Sequence, residues 1–132
     1  MQTIQADLFY ATITLGLNIG YTNQTLPIEN LYDELSYIQN HQISTRNIYL
    51  SANCSTSTII LSGQREDHVN IKFINYPRFP LTEDIFKSAV LEIAHHVLKK
   101  LHQNRLVIEF HDSLVMLQEN ENIDPRIINP DS

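Results

Sequence analysis

His68-Val69-Asn70-Ile71-Lys72-Phe73-Ile74-Asn75-Tyr76-Pro77-Arg78-Phe79-Pro80-Leu81-Thr82-Glu83-Asp84-Ile85-Phe86 is the stretch that decides how this chain folds. Its apolar side chains first recur at every second position (Val69, Ile71, Phe73), the period of a half-buried strand. Pro77 and Pro80 then fix two φ angles and push Tyr76 and Phe79 toward extended backbone. Thr82 offers a capping hydroxyl, and Glu83 and Asp84 set negative charge against a helix dipole. From there Phe86, Val90, Ile93, Val97 and Leu101 form an apolar stripe backed by Ala89 and Ala94, the strongest helix signal in the chain. A strand therefore passes into a helix through a rigid kink that carries a tyrosine, an arginine and a phenylalanine. Junctions of this kind mount binding groups on a stiff scaffold.

Working toward the N-terminus, Gly63 to Asp67 reads as a turn, and Ile48 to Ser62 as one long strand with a bulge, or a hairpin, near Cys54-Ser55. Ile28, Leu31, Tyr32, Leu35 and Ile38 give a helix of about four turns, with Pro27 in its first turn and Thr25 as cap. The polar run Asn40 to Asn47 is expected to end it. Tyr10 to Tyr21 alternates, with Ala11, Ile13, Leu15, Leu17 and Ile19 on one face. Toward the C-terminus, Leu106, Ile108 and Phe110 alternate as a strand, His111-Asp112-Ser113 makes a turn, and Leu114 to Leu117 forms a short partner strand. Residues 1–118 are expected to form one domain, and 119–132 a polar, flexible tail.

Composition narrows the function classes. The chain has 132 residues, 42% of them hydrophobic, enough for one domain with a real core. A net charge of −6 argues against broad nucleic-acid binding. Cys54 stands alone, so no internal disulfide framework exists. No stretch has the length of a membrane helix or the pattern of a secretion signal, so a cytoplasmic protein is expected.

The order strand, helix, strand, strand, helix, strand predicts an α+β, ferredoxin-like βαββαβ fold with two helices on one face of an antiparallel sheet. This topology is similar to that of PII-type signalling proteins and CutA-like proteins, which are trimers with ligand clefts between subunits. The likeness is one of element order alone. With the first and third strands taken as central and parallel, their carboxyl ends share one edge with both helix N-termini. Tyr21, Thr22 and Asn23 would then face Asn75, Tyr76 and Arg78, with Arg46 and Arg105 arriving from the outer strands. Arginines and helix N-termini bind anions, and tyrosines stack on planar groups. The expectation is an anionic, nucleotide-like ligand held by a homo-oligomer, dimer or trimer, in a regulatory or sequestering role. The plainer reading makes the arginines solvated or ion-paired and the Tyr-Pro-Arg-Phe-Pro run a cap over the core.

Other features point less far. Glu92 and His96 share a helix face but complete no metal motif, so no metal and no cofactor is expected. Cys54 has no neighbouring histidine and reads as a small buried thiol. His111, Glu109 or Tyr76 could serve an enzyme acting on a phosphorylated or carboxylated substrate. An assembly subunit without small ligand is the third possibility, and exposed strand edges would serve it.

Overall fold

The computed structural model describes residues 1–19, 22 and 24–122. Strand β1 (Tyr10–Gly16) is followed by helix α1 (Ile28–Arg46), the hairpin β2 (Asn53–Leu61) and β3 (Gln64–Ile74), helix α2 (Glu83–Lys100), and the hairpin β4 (Arg105–Phe110) and β5 (Leu114–Gln118). The strands form one sheet in the order β2-β3-β1-β4-β5, every pair antiparallel. This is the α+β, ferredoxin-like arrangement expected, with the short fifth strand added at one edge.

Alternation decides which side each strand buries. Ala11, Ile13 and Leu15 of β1, Val69, Ile71 and Phe73 of β3, and Leu106, Ile108 and Phe110 of β4 lie in the core. The apolar stripe of α2 meets them with Phe86, Val90, Ile93 and Val97 at zero exposure. Each such side chain stabilises the fold by about 1.5–3 kcal/mol through burial. The opposite sheet face carries Thr14, Asn70 and Ser57, joined by hydrogen bonds from Thr14 Oγ1 to Asn70 Oδ1 (3.2 Å) and from Asn70 Nδ2 to Ser57 Oγ (3.0 Å).

One expectation about direction fails, and the site depended on it. Strands β1 and β3 are antiparallel, with Tyr10 opposite Ile74 and Gly16 opposite His68. A helix crossover returns the chain so that β1 and β2 run the same way; the hairpin then reverses β3 against both. The carboxyl ends of β1 and β3 therefore lie at opposite ends of the sheet.

Local boundaries differ as well. Helix α1 runs through the polar stretch to Arg46, because Gln42 is buried and donates from Nε2 to Ala89 O (3.0 Å) and Glu92 Oε1 (2.9 Å). Asn47 ends it in a left-handed conformation at φ 53°. Pro27 occupies its N-cap, while Thr25 forms a bridge with Asn18 beyond the end of β1. Residues 48–52 are not strand, and the β2–β3 turn is Ser62-Gly63, both at positive φ as a tight two-residue hairpin requires. Strand β3 thus starts at Gln64, inside the stretch expected to be a turn.

After β5 the chain folds back on β4. Glu119 N–H donates to Asn104 O (2.7 Å), and the Arg105 guanidinium donates to the carbonyls of Asn120 and Asn122. Residues 119–122 are therefore attached to the domain; the rest of the expected tail, 123–132, lies outside the described residues. Among the described residues, no helix is long and apolar enough to cross a membrane.

Candidate functional site

The eight residues expected to converge divide between two ends of the sheet. Asn75, Tyr76 and Arg78 stand where β3 leaves the sheet beside Tyr10. Arg46 is at that end too, at the close of α1, where it donates to Ser88 Oγ (2.8 Å). Thr22 and Arg105 belong to the other end, beyond Gly16 and at the start of β4. Tyr21 and Asn23 lie outside the described residues. Arg46 and Arg78 thus share one end of the sheet, and Arg105 stands at the other.

At the first end, Glu83, His111 and Asp112 bring three ligand-type atoms within 4.8 Å of one another. Lys87 Nζ already stands among them, 2.9 Å from each Asp112 oxygen and 3.4 Å from Glu83 Oε1. It holds the Asp112 carboxyl below the usual carboxylate range, and Asp112 in turn raises the lysine. His111 Nε2 lies 3.0 Å from Glu83 Oε1, and its ring packs against Phe9 and Tyr10. An ammonium occupies the place a cation would take, so this cluster reads as a clamp between α2 and the β4–β5 turn. Glu109 is exposed on β4, two residues before His111, and pairs with Leu114 and Thr12. Burial raises the Cys54 thiol above its ordinary value, which withholds the thiolate a nucleophile needs.

The second end has a different character. Gly16 is the last residue of β1, on the face that points away from the helices, directly across from His68. A Cβ at this position would stand 3.0 Å from Glu66 Oε1, 3.4 Å from Gln103 Oε1 and 3.7 Å from His68 Nε2. Glycine within a strand marks close approach by another group. Here three polar atoms from β3 and the α2–β4 connection gather over bare backbone.

The orientation of Gln103 is fixed by its other end. Its Nε2 donates to Asn18 O (2.6 Å) and Leu101 O (3.2 Å), so its carbonyl oxygen must face Gly16. Gln103 and Asn18 are each 8% exposed, held by a ribbon in which Leu26 N–H donates to Leu17 O (2.6 Å) and Leu17 N–H to Asp67 O (3.0 Å). His68 Nδ1 lies 3.3 Å from Glu66 O. Among the described residues, no donor meets Glu66 Oε1 or Gln103 Oε1. A carboxylate and an amide oxygen that lack donors suit a ligand that brings its own, through hydroxyl or amine groups. A hollow of about 370 Å³ adjoins at the hairpin base, bordered by Leu17, Thr56, Ser57, Thr58, Asp67 and His68.

Gly16, Glu66, His68 and Gln103 were not singled out by sequence reasoning. The one available signal was a glycine inside an otherwise regular alternation.

Comparison with known proteins bears on the fold. No protein-family model matches the chain, and no curated protein sequence matches it. Two solved structures do. A phage SAM lyase in its apo state aligns at a TM-score of 0.76 and 19% identity, covering 93% of this chain and 98% of that one. A phage SAM lyase in complex with S-methyl-5'-thioadenosine aligns at 0.68 and 20% identity, covering 89% and 95%. The chain shares its fold with these proteins.

Proposed function

We propose that this chain binds an adenosyl sulfur compound over Gly16 and cleaves it, as a lyase that takes S-adenosylmethionine to S-methyl-5'-thioadenosine. The observation that carries the reading is the set of donor-free acceptors around Gly16, on a fold shared over nearly its full length with a phage SAM lyase. In place of the anionic ligand expected from the sequence, this reading takes a neutral or cationic one, because Glu66 sets a carboxylate beside Gly16 while Arg105, at the same end, donates to the carbonyls of Asn120 and Asn122.

The chemistry asks little of the protein in the way of acids. The bond from sulfur to the aminobutyryl carbon breaks, its electron pair goes to sulfur, and the sulfonium leaves as a neutral thioether. The substrate's own carboxylate oxygen forms the new bond to that carbon, so the four-carbon fragment departs as a five-membered lactone and the step needs neither water nor an added proton. Positive charge disappears on the way to the transition state. A carboxylate against the sulfonium would hold substrate more tightly than transition state and slow the step. Glu66 and Gln103 are therefore assigned to the ribose hydroxyls, with His68 at the rim, and the sulfonium to less polar surroundings. Their contribution is orientation.

Incubating purified protein with S-adenosylmethionine and following S-methyl-5'-thioadenosine by chromatography tests the reaction. Glu66→Gln should raise the dissociation constant for S-methyl-5'-thioadenosine about tenfold, with kcat affected less than KM. No product, together with no thermal shift from either compound, would remove the proposal. A sequestering or regulatory protein, the role expected from the sequence, would bind the nucleoside without turnover; the lyase neighbours favour turnover. A cytoplasmic location belongs to the same reading.

A further inference from the structure

On the sheet face that points away from the helices, the side chains of β1 stand in rungs with those of the strands beside it. At Gly16, the place assigned to the ribose, His68 lies opposite, with Glu66 and Gln103 at hand. Two residues back, Thr14 pairs with Asn70 on β3 and Val107 on β4, which in turn pair with Ser55 and Met116. That middle rung holds no charged side chain. Two residues further back, Thr12 has Lys72 on one side and Glu109 on the other.

Lys72 and Glu109 are exposed, and among the described residues neither has a partner of opposite charge. The strand spacing sets their Cα atoms about 10 Å apart across Thr12, which leaves room for a small group between the side-chain ends. Lys72 Nζ leans over the Tyr10 ring, 6.0 Å from its centre. An ammonium and a carboxylate that border one gap without closing on each other complement a ligand that carries both signs on neighbouring atoms. The α-carbon of a free amino acid, with its ammonium and carboxylate, is such a group.

Successive side chains on one face of a strand stand about 7 Å apart, so Thr12 lies about 14 Å from Gly16. In S-adenosylmethionine the run of single bonds from ribose to α-carbon is somewhat shorter, and two long side chains close the difference. The sulfonium then falls over the charge-free rung of Thr14, Asn70 and Val107, in the less polar surroundings its reaction favours. The other direction offers no charged pair: beyond Gly16 the same face carries Ile59, opposite Glu66 and 45% exposed, which suits the flat base. We infer, resting on the lyase reading, that Lys72 and Glu109 hold the α-carboxylate and the α-ammonium of the substrate. Lys72 would take one carboxylate oxygen while the other closes the lactone. The carboxylate loses its charge in that step, so an ammonium beside it favours bound substrate over transition state. The two residues therefore bind and orient the tail.

Titration calorimetry with unreactive nucleosides separates the tail from the rest of the ligand. S-adenosylhomocysteine keeps the amino-acid end, and S-methyl-5'-thioadenosine lacks it. Lys72→Met and Glu109→Gln should each weaken S-adenosylhomocysteine about fivefold and leave S-methyl-5'-thioadenosine at wild-type affinity. Lys72→Arg should keep most of the affinity, since charge and reach persist. Decarboxylated S-adenosylhomocysteine, which retains only the amine, should respond to Glu109→Gln and ignore Lys72→Met. Glu66→Gln, at the ribose, should weaken all three compounds. S-adenosylhomocysteine binding that ignores both tail substitutions, or a loss shared equally by S-methyl-5'-thioadenosine, overturns the inference and leaves the ribose site standing. A wild type that binds none of the compounds overturns the lyase reading, and the tail assignment falls with it.

Discussion

Replacing Gly16 by alanine separates a ligand site from a merely structural glycine. The added methyl carbon would lie 3.0 Å from Glu66 Oε1 and 3.4 Å from Gln103 Oε1. Glu66 ends a flexible side chain on a two-stranded ribbon and can swing aside. Gln103 is pinned by two hydrogen bonds from Nε2 and gives only a little. The backbone at Gly16 has no positive φ, so alanine meets no conformational penalty there. Removing glycine's excess freedom in the unfolded chain stabilises by about 0.5–1 kcal/mol, which offsets the crowding. Net stability should therefore move by less than about 1 kcal/mol. Binding should suffer far more, because displacing Glu66 forfeits a hydrogen bond to a charged group, about 1.5–3 kcal/mol or roughly 10- to 150-fold in affinity. Titration calorimetry with S-methyl-5'-thioadenosine, beside a thermal melt, reads both quantities. Wild-type affinity in the alanine variant would refute the site.

Two further outcomes follow from the opposite end. Asn75→Ala leaves Leu81 N–H and Asp7 O without their partner in a nearly buried position, at a cost of about 1–3 kcal/mol, readable as a lower urea midpoint at unchanged m. Asp112, held below its ordinary range by Lys87, contributes stability that is present above the usual carboxylate pKa and lost as pH falls through the lower folded value. Lys87→Met should therefore flatten the acid limb of a melting-temperature profile below about pH 4. The change is small, since the pair is open to water.

Periodicity showed both helices and the strands β1, β3 and β4 because each buries one face against the other layer. It carries no direction, and so β1 and β3 were given the wrong relative sense; connections, not side chains, set that. Helix α1 outran its apolar pattern because Gln42 Nε2 donates to Ala89 O and Glu92 Oε1, a polar core contact that no hydrophobic count registers. The start of β3 was missed for a related reason. Among the described residues, Gln64 to Glu66 pair with β2 alone, past the end of β1, and so have no core face to alternate against. Glu66 belongs to that segment, which is why the candidate site was illegible while the aromatic kink at Tyr76-Pro77-Arg78-Phe79 stood out.

The sheet narrows from five strands to two beyond Leu17, whose N–H to Asp67 O is, among the described residues, the last backbone hydrogen bond from the body to the ribbon of Thr58–Leu61 and Gln64–Asp67. Two strands alone are barely stable in water, so amide protons there should exchange with solvent well before those of Val69 to Phe73. A molecule spanning Glu66 on the ribbon and Gln103 on the body would staple the two together. Occupancy then becomes visible as slowed deuterium uptake in the hairpin arm, a signal available before any product is made.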